Sequence, residues 1–432
     1  MQSDIFTEDF TTDPYWWGET PRPEIARPDL PQQVDVLVVG SGYTGLSAAL
    51  ELARAGRSVL VCDAEDAGWG CSTRNGGQIS RSIKPGYEEL TRRYGTDTAF
   101  GIIREGSNAL DWITDFVAAE KIDCDFAVPG KFTAAHNPIQ FEKMAWAAEN
   151  QPAGLVEPLR VVTRAEQHAE IGTDAYYGGI VNESTASLDP AKFHAGLLRR
   201  AEEAGVVIAT RCPVTSIEES APGFRVRTGR GVVRARNVMV ASNGYTGAVS
   251  GWQRRRVIPI GSYIIATEAL PKEQMDRLIP TDRMLGDSRK VVYYYRPSPD
   301  RTRILFGGRV SAGETDPRKS APLLRRDLAA IFPELADVRV SHSWMGFVAY
   351  TFDTLAHVGC HENVHYAMGY CGSGVSMSGY LGMRVAQQML GKKEGRTAFD
   401  GIGFPTRPLY TGRPWFLAAS VAYFRWRDGW NR

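Results

Sequence analysis

An apolar run, Val34-Asp-Val-Leu-Val-Val39, breaks into Gly40-Ser-Gly42-Tyr43-Thr44-Gly45, and an amphipathic stretch with Leu46, Ala49, Leu50 and Ala53 on one face follows. A second apolar run, Ser58-Val-Leu-Val-Cys62, ends at Asp63, roughly twenty residues past the first glycine. Strand, tight turn, helix and second strand therefore come in one order, which is the order of a dinucleotide-binding unit. Gly40 makes the turn and Gly42 lets a pyrophosphate approach the backbone. Gly45 permits close helix–strand packing, and Asp63 accepts from a ribose hydroxyl. The helix start supplies unpaired N–H groups and partial positive charge for the phosphates. This segment commits the chain to an α/β fold around a Rossmann-like unit.

The 432 residues exceed what one simple core organises, so two intimately connected domains are expected. A net charge of +1 gives no field to recruit nucleic acid or an anionic membrane, and the run Arg254-Arg255-Arg256 reads as a solvated loop. No apolar stretch nears the roughly twenty residues that span a bilayer, and the first residues lack the pattern of a signal peptide. The six cysteines are scattered without a C-x-x-C pair, as reduced thiols are. A cytoplasmic protein is expected. His357, His361 and His365 recur every fourth residue, but Gly359 interrupts them and Val364–Met368 reads as a strand, so no metal site is expected.

The remaining chain alternates in character. Residues 1–33 are proline-rich with an aromatic cluster, Tyr15-Trp16-Trp17, and read as an arm laid over the body. After Asp63 comes Gly68-Trp-Gly70-Cys-Ser72-Thr73-Arg74-Asn75-Gly76-Gly77-Gln78, too small and polar to build a core but suited to a phosphate and a flat ring. Helical periodicity covers about 99–120, and Asp189-Pro190 opens a helix through Ala204 before the strand Val206–Ala209. A hairpin at 224–236 leads to the apolar strand Asn237–Ala241, and the turn Ser242-Asn243-Gly244-Tyr245 that ends it is expected to place its backbone against a cofactor. From Val257 to Val340, extended segments (260–267, 291–295, 303–306) and a helix from about Pro322 to Phe332 predict an antiparallel sheet that walls a pocket.

The nucleotide-binding domain is expected to be discontinuous, over 34–98, 155–250 and 341–400. The substrate domain takes 99–154 and 251–340, followed by an aromatic tail at 401–432. That tail carries Trp415, Phe416, Tyr423, Phe424, Trp426 and Trp430, which pack back on the body or dock a partner.

A second glycine segment, Gly369-Tyr-Cys-Gly372-Ser373-Gly374-Val375, stands between the strand Val364–Met368 and a helix from Ser376 to Leu390. It provides a second positive helix end, whose natural partner is the pyrimidine edge of a flavin. Here the chain resembles the FAD-dependent D-amino-acid-oxidase superfamily over roughly 30 to 400, and most of all its γ-glutamylputrescine oxidase-like branch. The branch pattern Gly-x-x-Ser-x-Arg-Asn-Gly-Gly-Gln is matched by Gly70 to Gln78 with one residue of spacing variation. Also similar are Ala241-Ser-Asn-Gly244-Tyr, Tyr294-Tyr-Arg296 leading to Leu305-Phe-Gly-Gly-Arg309, Trp344-Met-Gly346 with Thr351-Phe-Asp353, and Pro408-Leu-Tyr410 with Pro414-Trp415-Phe416.

The resemblance implies a glutathione reductase-type fold with an interleaved antiparallel-sheet domain. It implies that Gly40, Gly42, Tyr43, Thr44, Gly45, Asp63 and Ala64 hold the ADP half of FAD. Ser72, Thr73, Arg74, Asn75, Gly76 and Gly77 would run along the pyrophosphate and ring. Val214 would meet the adenine side through its backbone, Gly244 and Gly346 would approach the cofactor, and Gly372, Ser373, Gly374, Val375 and Ser376 would hold the ring's O2/N1 edge.

The family's chemistry is oxidation of a C–H beside an amine nitrogen: hydride passes to flavin N5, the imine hydrolyses, and O2 reoxidises the flavin to give peroxide. The substrate amine must be neutral, which an aromatic, water-poor wall favours. Tyrosines 263, 293, 294, 295 and 350 are candidates for that wall or for strand packing, and alternation sets Tyr294 opposite Tyr293 and Tyr295. Arg296 either favours flavin reduction by its charge or sits solvated at an edge.

Departures from the family narrow the substrate. Ser373 stands where many members carry a histidine, Val348 where glycine oxidase-like members carry a carboxylate-binding arginine, and Ser376 where sarcosine oxidase-like members carry a lysine. Simple α-amino acids are thereby disfavoured against amines, or amines with a distant carboxylate. Members that attach flavin covalently use a cysteine near the position of Tyr350, so noncovalent FAD is expected. A dehydrogenase using another electron acceptor and an FAD-binding subunit of a larger complex are the alternative readings. No second pyridine-nucleotide fingerprint supports a monooxygenase.

Overall fold

The computed structural model describes residues 5–25, 28–308 and 316–430. Arg309, part of one motif above, and the Trp430 side chain lie outside the described residues.

The first glycine motif sits in an eight-stranded sheet in which Gln33–Val39, Val59–Cys62 and Val207–Ala209 run parallel. The long strand Gly231–Val240 does two jobs. Its first half closes an antiparallel meander with Phe224–Thr228 and Val214–Glu219, while its second half pairs in parallel with Gln33–Val39 and Val364–Met368. The hairpin and the apolar strand expected separately at 224–241 are thus continuous. Parallel strands need cover on both faces. The helices Tyr43–Arg54, Thr96–Ala119, Pro190–Glu203 and Gly374–Met389 supply one cover and share a core with Val36, Val38, Val59 and Val61.

The second sheet has nine strands, in the order Phe6–Thr11, Val340–Thr351, Val257–Thr267, Ile304–Gly308, Tyr294–Pro297, Met284–Asp287, Lys131–Ala134, Gly179–Asn182 and Leu159–Val162. It is mostly antiparallel, and the helix Pro317–Ile331 covers one face through Leu324, Leu328 and Ile331. That helix starts earlier than Pro322, because Asp316 caps it by accepting from Arg318 N–H. The strand expected at 291–295 lies at 294–297, where Tyr294 and Arg296 pair with Gly307 and Leu305. Three of its strands, 159–162, 179–182 and 340–351, come from stretches that the sequence groups with the nucleotide unit. We propose that the two sheets are the nucleotide and substrate units, with these strands counted on the substrate side.

The N-terminal arm is structural. Phe6–Thr11 adds a parallel edge strand beside Val340–Thr351, and Trp16 is completely buried. In the tail, Tyr410 is buried and its hydroxyl donates to Val257 O at 2.7 Å, whereas Trp415, Tyr423 and Trp426 are exposed. Part of the aromatic tail therefore packs back and part faces outward. No helix among the described residues is long and apolar enough to cross a membrane.

Candidate FAD site

The two glycine segments converge on one cavity of about 650 Å³, whose lining includes Asp63, Ala64 and Val214 as well as Phe347, Val348, Cys371 and Gly372. Each segment opens a helix beside it, Tyr43–Arg54 from the first and Gly374–Met389 from the second. The two helices pack closely, since a Cβ on Gly382 would lie 2.3 Å from Thr44 O. Their N-termini supply the site's positive potential, because the charged residues along the cavity wall are Asp63 and Glu65.

At the first turn, Gly40 has φ +104°, which glycine adopts without strain. A Cβ on Gly45 would lie 2.0 Å from Gly40 O, so only glycine lets this helix start so close to its strand. Asp63 organises the turn: Oδ2 accepts from both Ser41 N–H and Ser41 Oγ at 2.7 Å, and Oδ1 accepts from Glu65 N–H at 3.0 Å. A carboxylate has further lone-pair positions, so the aspartate can still meet a ribose hydroxyl from the cavity wall.

Below the turn, fully buried His194 donates from Nε2 to Ser41 O at 2.7 Å. No local sequence signal announces this histidine, which arrives from the Pro190–Glu203 helix. Tyr43 lines the cavity, but its hydroxyl donates to Pro190 O at 2.9 Å and its ring packs on Phe193. Thr44 Oγ1 is 2.7 Å from Tyr370 OH, which ties the first helix start to the second glycine segment.

The glycine-rich loop divides into cavity and anchor residues. Cys71, Ser72 and Asn75 line the cavity, and Ser72 Oγ accepts from Tyr43 N–H at 3.1 Å. Asn75 folds the loop on itself, donating to Cys71 O and Ser72 O and accepting from Gly77 N–H. Thr73 and Arg74 turn away from the cavity: Thr73 Oγ1 bonds Gly68 O and accepts from Trp17 Nε1–H, while Arg74 donates to Trp69 O and lies over the Trp17 and Trp69 rings. Trp16 Nε1–H donates to Asn75 O at 2.9 Å, and Trp344 Nε1–H donates to Arg74 O at 2.9 Å. Gly76 and Gly77 are packing glycines, since a Cβ would come within 3.3 Å of the Tyr294 ring and 2.2 Å of Leu188 O, respectively.

Of the remaining expected contacts, Gly372, Gly374 and Val375 line the cavity, with Gly372 at φ +103°. Ser373 and Ser376 do not; their hydroxyls donate to Ser82 O at 2.6 Å and Ser80 O at 3.5 Å. Gly244 is replaced at the wall by its neighbours Asn243 and Tyr245, while a Cβ on Gly244 would lie 3.2 Å from Phe347 Cβ. Gly346 lies behind the wall, where a Cβ would be 3.2 Å from Arg74 Cβ. Phe347, and the rings of Trp69 and Tyr245 within the two segments expected at the cofactor, were not singled out by the sequence; they form an aromatic group with ring centroids 5.4–5.8 Å apart. Tyr245 follows directly on the Asn-Gly turn, and that adjacency was the available signal.

None of Tyr263, Tyr294, Arg296 and Tyr350 lines this cavity. Tyr263 is fully buried in the core under the Pro317–Ile331 helix. Tyr293 donates to Asp327 Oδ2 at 2.9 Å and Tyr295 to Tyr176 OH at 3.2 Å, both on that same face. Tyr294 points the other way, its hydroxyl 2.7 Å from Ser262 Oγ and its ring against Gly76. Tyr350 is half-buried, and burial pushes its hydroxyl up to about 12. Arg296 is neither solvated nor at the wall. It is buried behind the loop, donates to Leu188 O at 3.0 Å and Pro297 O at 3.1 Å, and burial pulls it down to about 10.

Burial lowers the imidazoles of His194 and, to about 4, of His342. Both groups therefore hold a proton less readily in the fold than in the unfolded chain, which protonates them near 6.5. Stability is therefore complete above about pH 6.5 and falls as pH drops below it, with a limiting slope of about 1.4 kcal/mol per pH unit per histidine. A melting temperature that falls between pH 7 and 5, less steeply in His342→Gln, is the expected result; a flat wild-type profile would exclude it.

The cavity fits FAD on its own chemistry. Two glycine-lined helix starts face one space whose wall also carries an acid, Asp63, and an aromatic group, Trp69, Tyr245 and Phe347. The comparisons agree. Residues 35–388 match the family model described as DAO, FAD dependent oxidoreductase. The chain is 32% identical to the γ-glutamylputrescine oxidoreductase of Escherichia coli K12, over 91% of this chain and 92% of that protein. It is 29% identical to a probable oxidoreductase OrdL of Haemophilus influenzae, over 88% of each. Among solved structures, glycine oxidase from Geobacillus kaustophilus superposes with a TM-score of 0.73 at 19% identity, covering 88% of this chain and 99% of that one. The chain belongs to the DAO family of FAD-dependent oxidoreductases.

Proposed function

We propose that this protein oxidises the C–N bond of a small amine, with O2 as final electron acceptor and peroxide as product. The observation that carries this reading is the second helix start, where Gly372 and Gly374 close the cavity beside Phe347 and Tyr370. FAD, when bound, accepts the two electrons and the hydrogen lost from the carbon beside nitrogen. Gly40, Gly42, Thr44, Asp63 and Ser72 would hold its ADP and pyrophosphate portions, and Gly372, Gly374 and Val375 its ring edge. Trp69, Tyr245 and Phe347 keep part of the wall apolar, which favours the neutral amine.

The imine product leaves to hydrolyse in water. FAD is held noncovalently in this reading: of the three cavity thiols, Cys71 and Cys371 are raised to about 11 by burial and Cys62 is raised by its hydrogen bond with Cys212 and by burial, which keeps all three as unreactive thiols. Val348 at the wall and Ser376 tied to Ser80 offer no cation to an α-carboxylate, which supports γ-glutamyl or secondary amines over simple amino acids.

The test is oxygen uptake with peroxide detection on a panel of primary, secondary and γ-glutamyl amines. Uptake with stoichiometric peroxide is expected for at least one. Turnover only with an added dye acceptor would show a dehydrogenase instead.

A further inference from the structure

The basic run Arg254-Arg255-Arg256 and the aromatic tail take no part in the FAD site, and the fold brings them together. Arg256 donates from Nε to Phe404 O at 3.0 Å, and Thr406 Oγ1 donates to Arg255 O at 2.5 Å. Gly412 packs so closely that a Cβ there would lie 2.4 Å from Arg254 Cγ. The run is therefore the seat of the tail. Among the described residues no ion pair includes Arg254, Arg255, Arg256, Arg407, Arg413 or Arg427. The whole-chain charge of +1 hides this concentration. Residues 401–432 carry five arginines against a single acid, Asp428, which makes the tail +4 and leaves the rest of the chain at −3.

The helix Leu417–Trp430 follows Arg413, and the Arg427 guanidinium lies over its Phe424 ring. It is apolar on two sides. Leu417 and Val421 are buried, whereas Ala419, Ala422, Tyr423 and Trp426, spaced i, i+3, i+4 and i+7, form an exposed stripe. A surface helix that meets only water carries charge on its outer face, and one that is apolar all round belongs against a core or a membrane. Ahead of the helix, Leu409 is 85% exposed and Trp415 71%. Half of the large apolar side chains that stand exposed among the described residues lie between Leu409 and Trp426.

Whatever covers this face must be negatively charged and must accept protruding apolar groups. A second copy of the chain would set one +4 tail against another. A nucleic acid would stack on the rings but has no use for Leu409 and the exposed alanines. An anionic bilayer meets both demands: tryptophan and tyrosine rings settle at the headgroup level, and arginines near the surface are drawn to the lipid phosphates. We propose that the face from Leu409 to Arg427, with Arg254 and Arg255 beside it, docks the protein on an anionic lipid surface without spanning it. The docking is independent of the amine chemistry, because none of these residues lines the cofactor cavity.

The test is sedimentation of the FAD-loaded protein with lipid vesicles. Vesicles of phosphatidylglycerol and phosphatidylcholine in equal parts should carry it down, and phosphatidylcholine alone should carry down at least tenfold less. Salt should release it, since exposed charges are screened. Joint Arg255→Glu and Arg413→Glu should weaken binding to the mixed vesicles at least tenfold with flavin content unchanged, while joint Arg255→Lys and Arg413→Lys should keep it. Trp415→Ser and Trp426→Ser should each weaken it too, and acyl chains brominated near the headgroup should quench tryptophan emission more in wild type than in either variant. Trp415 is exposed on a loop, so its variant keeps the test open if Trp426→Ser fails to fold. Binding to neither vesicle, equal binding to both, or wild-type binding in the joint glutamate variant would overturn the proposal. So would a dimer that Trp426→Ser dissolves, which would assign the face to a second copy, or an oligonucleotide bound as tightly as the mixed vesicles.

Discussion

Replacing Gly45 by valine is expected to give protein that purifies without flavin and is inactive. The added Cβ would lie 2.0 Å from Gly40 O and 3.1 Å from Gly40 C, with Val38 Cγ1 at 3.2 Å on the other side. Two of these atoms are backbone, so relief requires the Tyr43–Arg54 helix to lift off its strand. Overpacking of this kind costs about 1–3 kcal/mol, and a backbone clash belongs at or above the upper end. The same helix packs against Gly382 through Thr44 O, so the displacement spreads to the Gly374–Met389 helix and its part of the cavity wall. The ratio of flavin to protein absorbance measures the outcome. Gly86→Ala, where a Cβ would meet nothing within 4 Å, is the control and should keep full occupancy. Normal flavin content in Gly45→Val would show that the helix start does not hold the cofactor.

Asp63→Ala is expected to weaken FAD at least tenfold, by a route wider than one lost ribose contact. The carboxylate holds Ser41 N–H, Ser41 Oγ and Glu65 N–H, and Ser41 is fully buried. Hydrogen bonds to a charged group are worth about 1.5–3 kcal/mol, and those donors would be left without their acceptor. Asp63→Asn keeps the shape and one acceptor, so it should fall between alanine and wild type. Fluorescence titration of the stripped protein with FAD gives the affinities. Wild-type affinity in Asp63→Ala would remove the aspartate from the site.

The chain-local parts of this site were legible because their physics is local. Gly40, Gly42 and Gly45 specify a turn and a close approach within a few residues, and Asp63 follows at the end of the next strand. The second segment was readable for the same reason, through Gly372 and Gly374. What the sequence could not show is which face of the Ser72–Gly77 loop meets the cavity. That is decided by residues far away: Trp16 and Trp17 from the arm, Arg296 from the larger sheet, and Trp344. Composition marked the whole loop as cofactor-facing, whereas Thr73, Arg74, Gly76 and Gly77 are spent on fastening it.

The tyrosines illustrate a related limit. Alternation separated Tyr294 from Tyr293 and Tyr295, but it does not say which face packs on a helix. The Pro317–Ile331 helix takes the face of Tyr263, Tyr293 and Tyr295. Likewise, the aromatic wall at the cavity comes from turns, Trp69 and Tyr245, and from Phe347 on the long strand, where no periodic pattern singles them out.

The central claim is that the space between the two helix starts is where an amine loses its electrons to FAD. Anaerobic mixing of the purified, flavin-loaded protein with the amine panel tests it directly, with the visible flavin band followed in time. At least one amine is expected to bleach the band while others of similar size do not. A band that no amine bleaches, in protein that chemical reductant still bleaches, would contradict it.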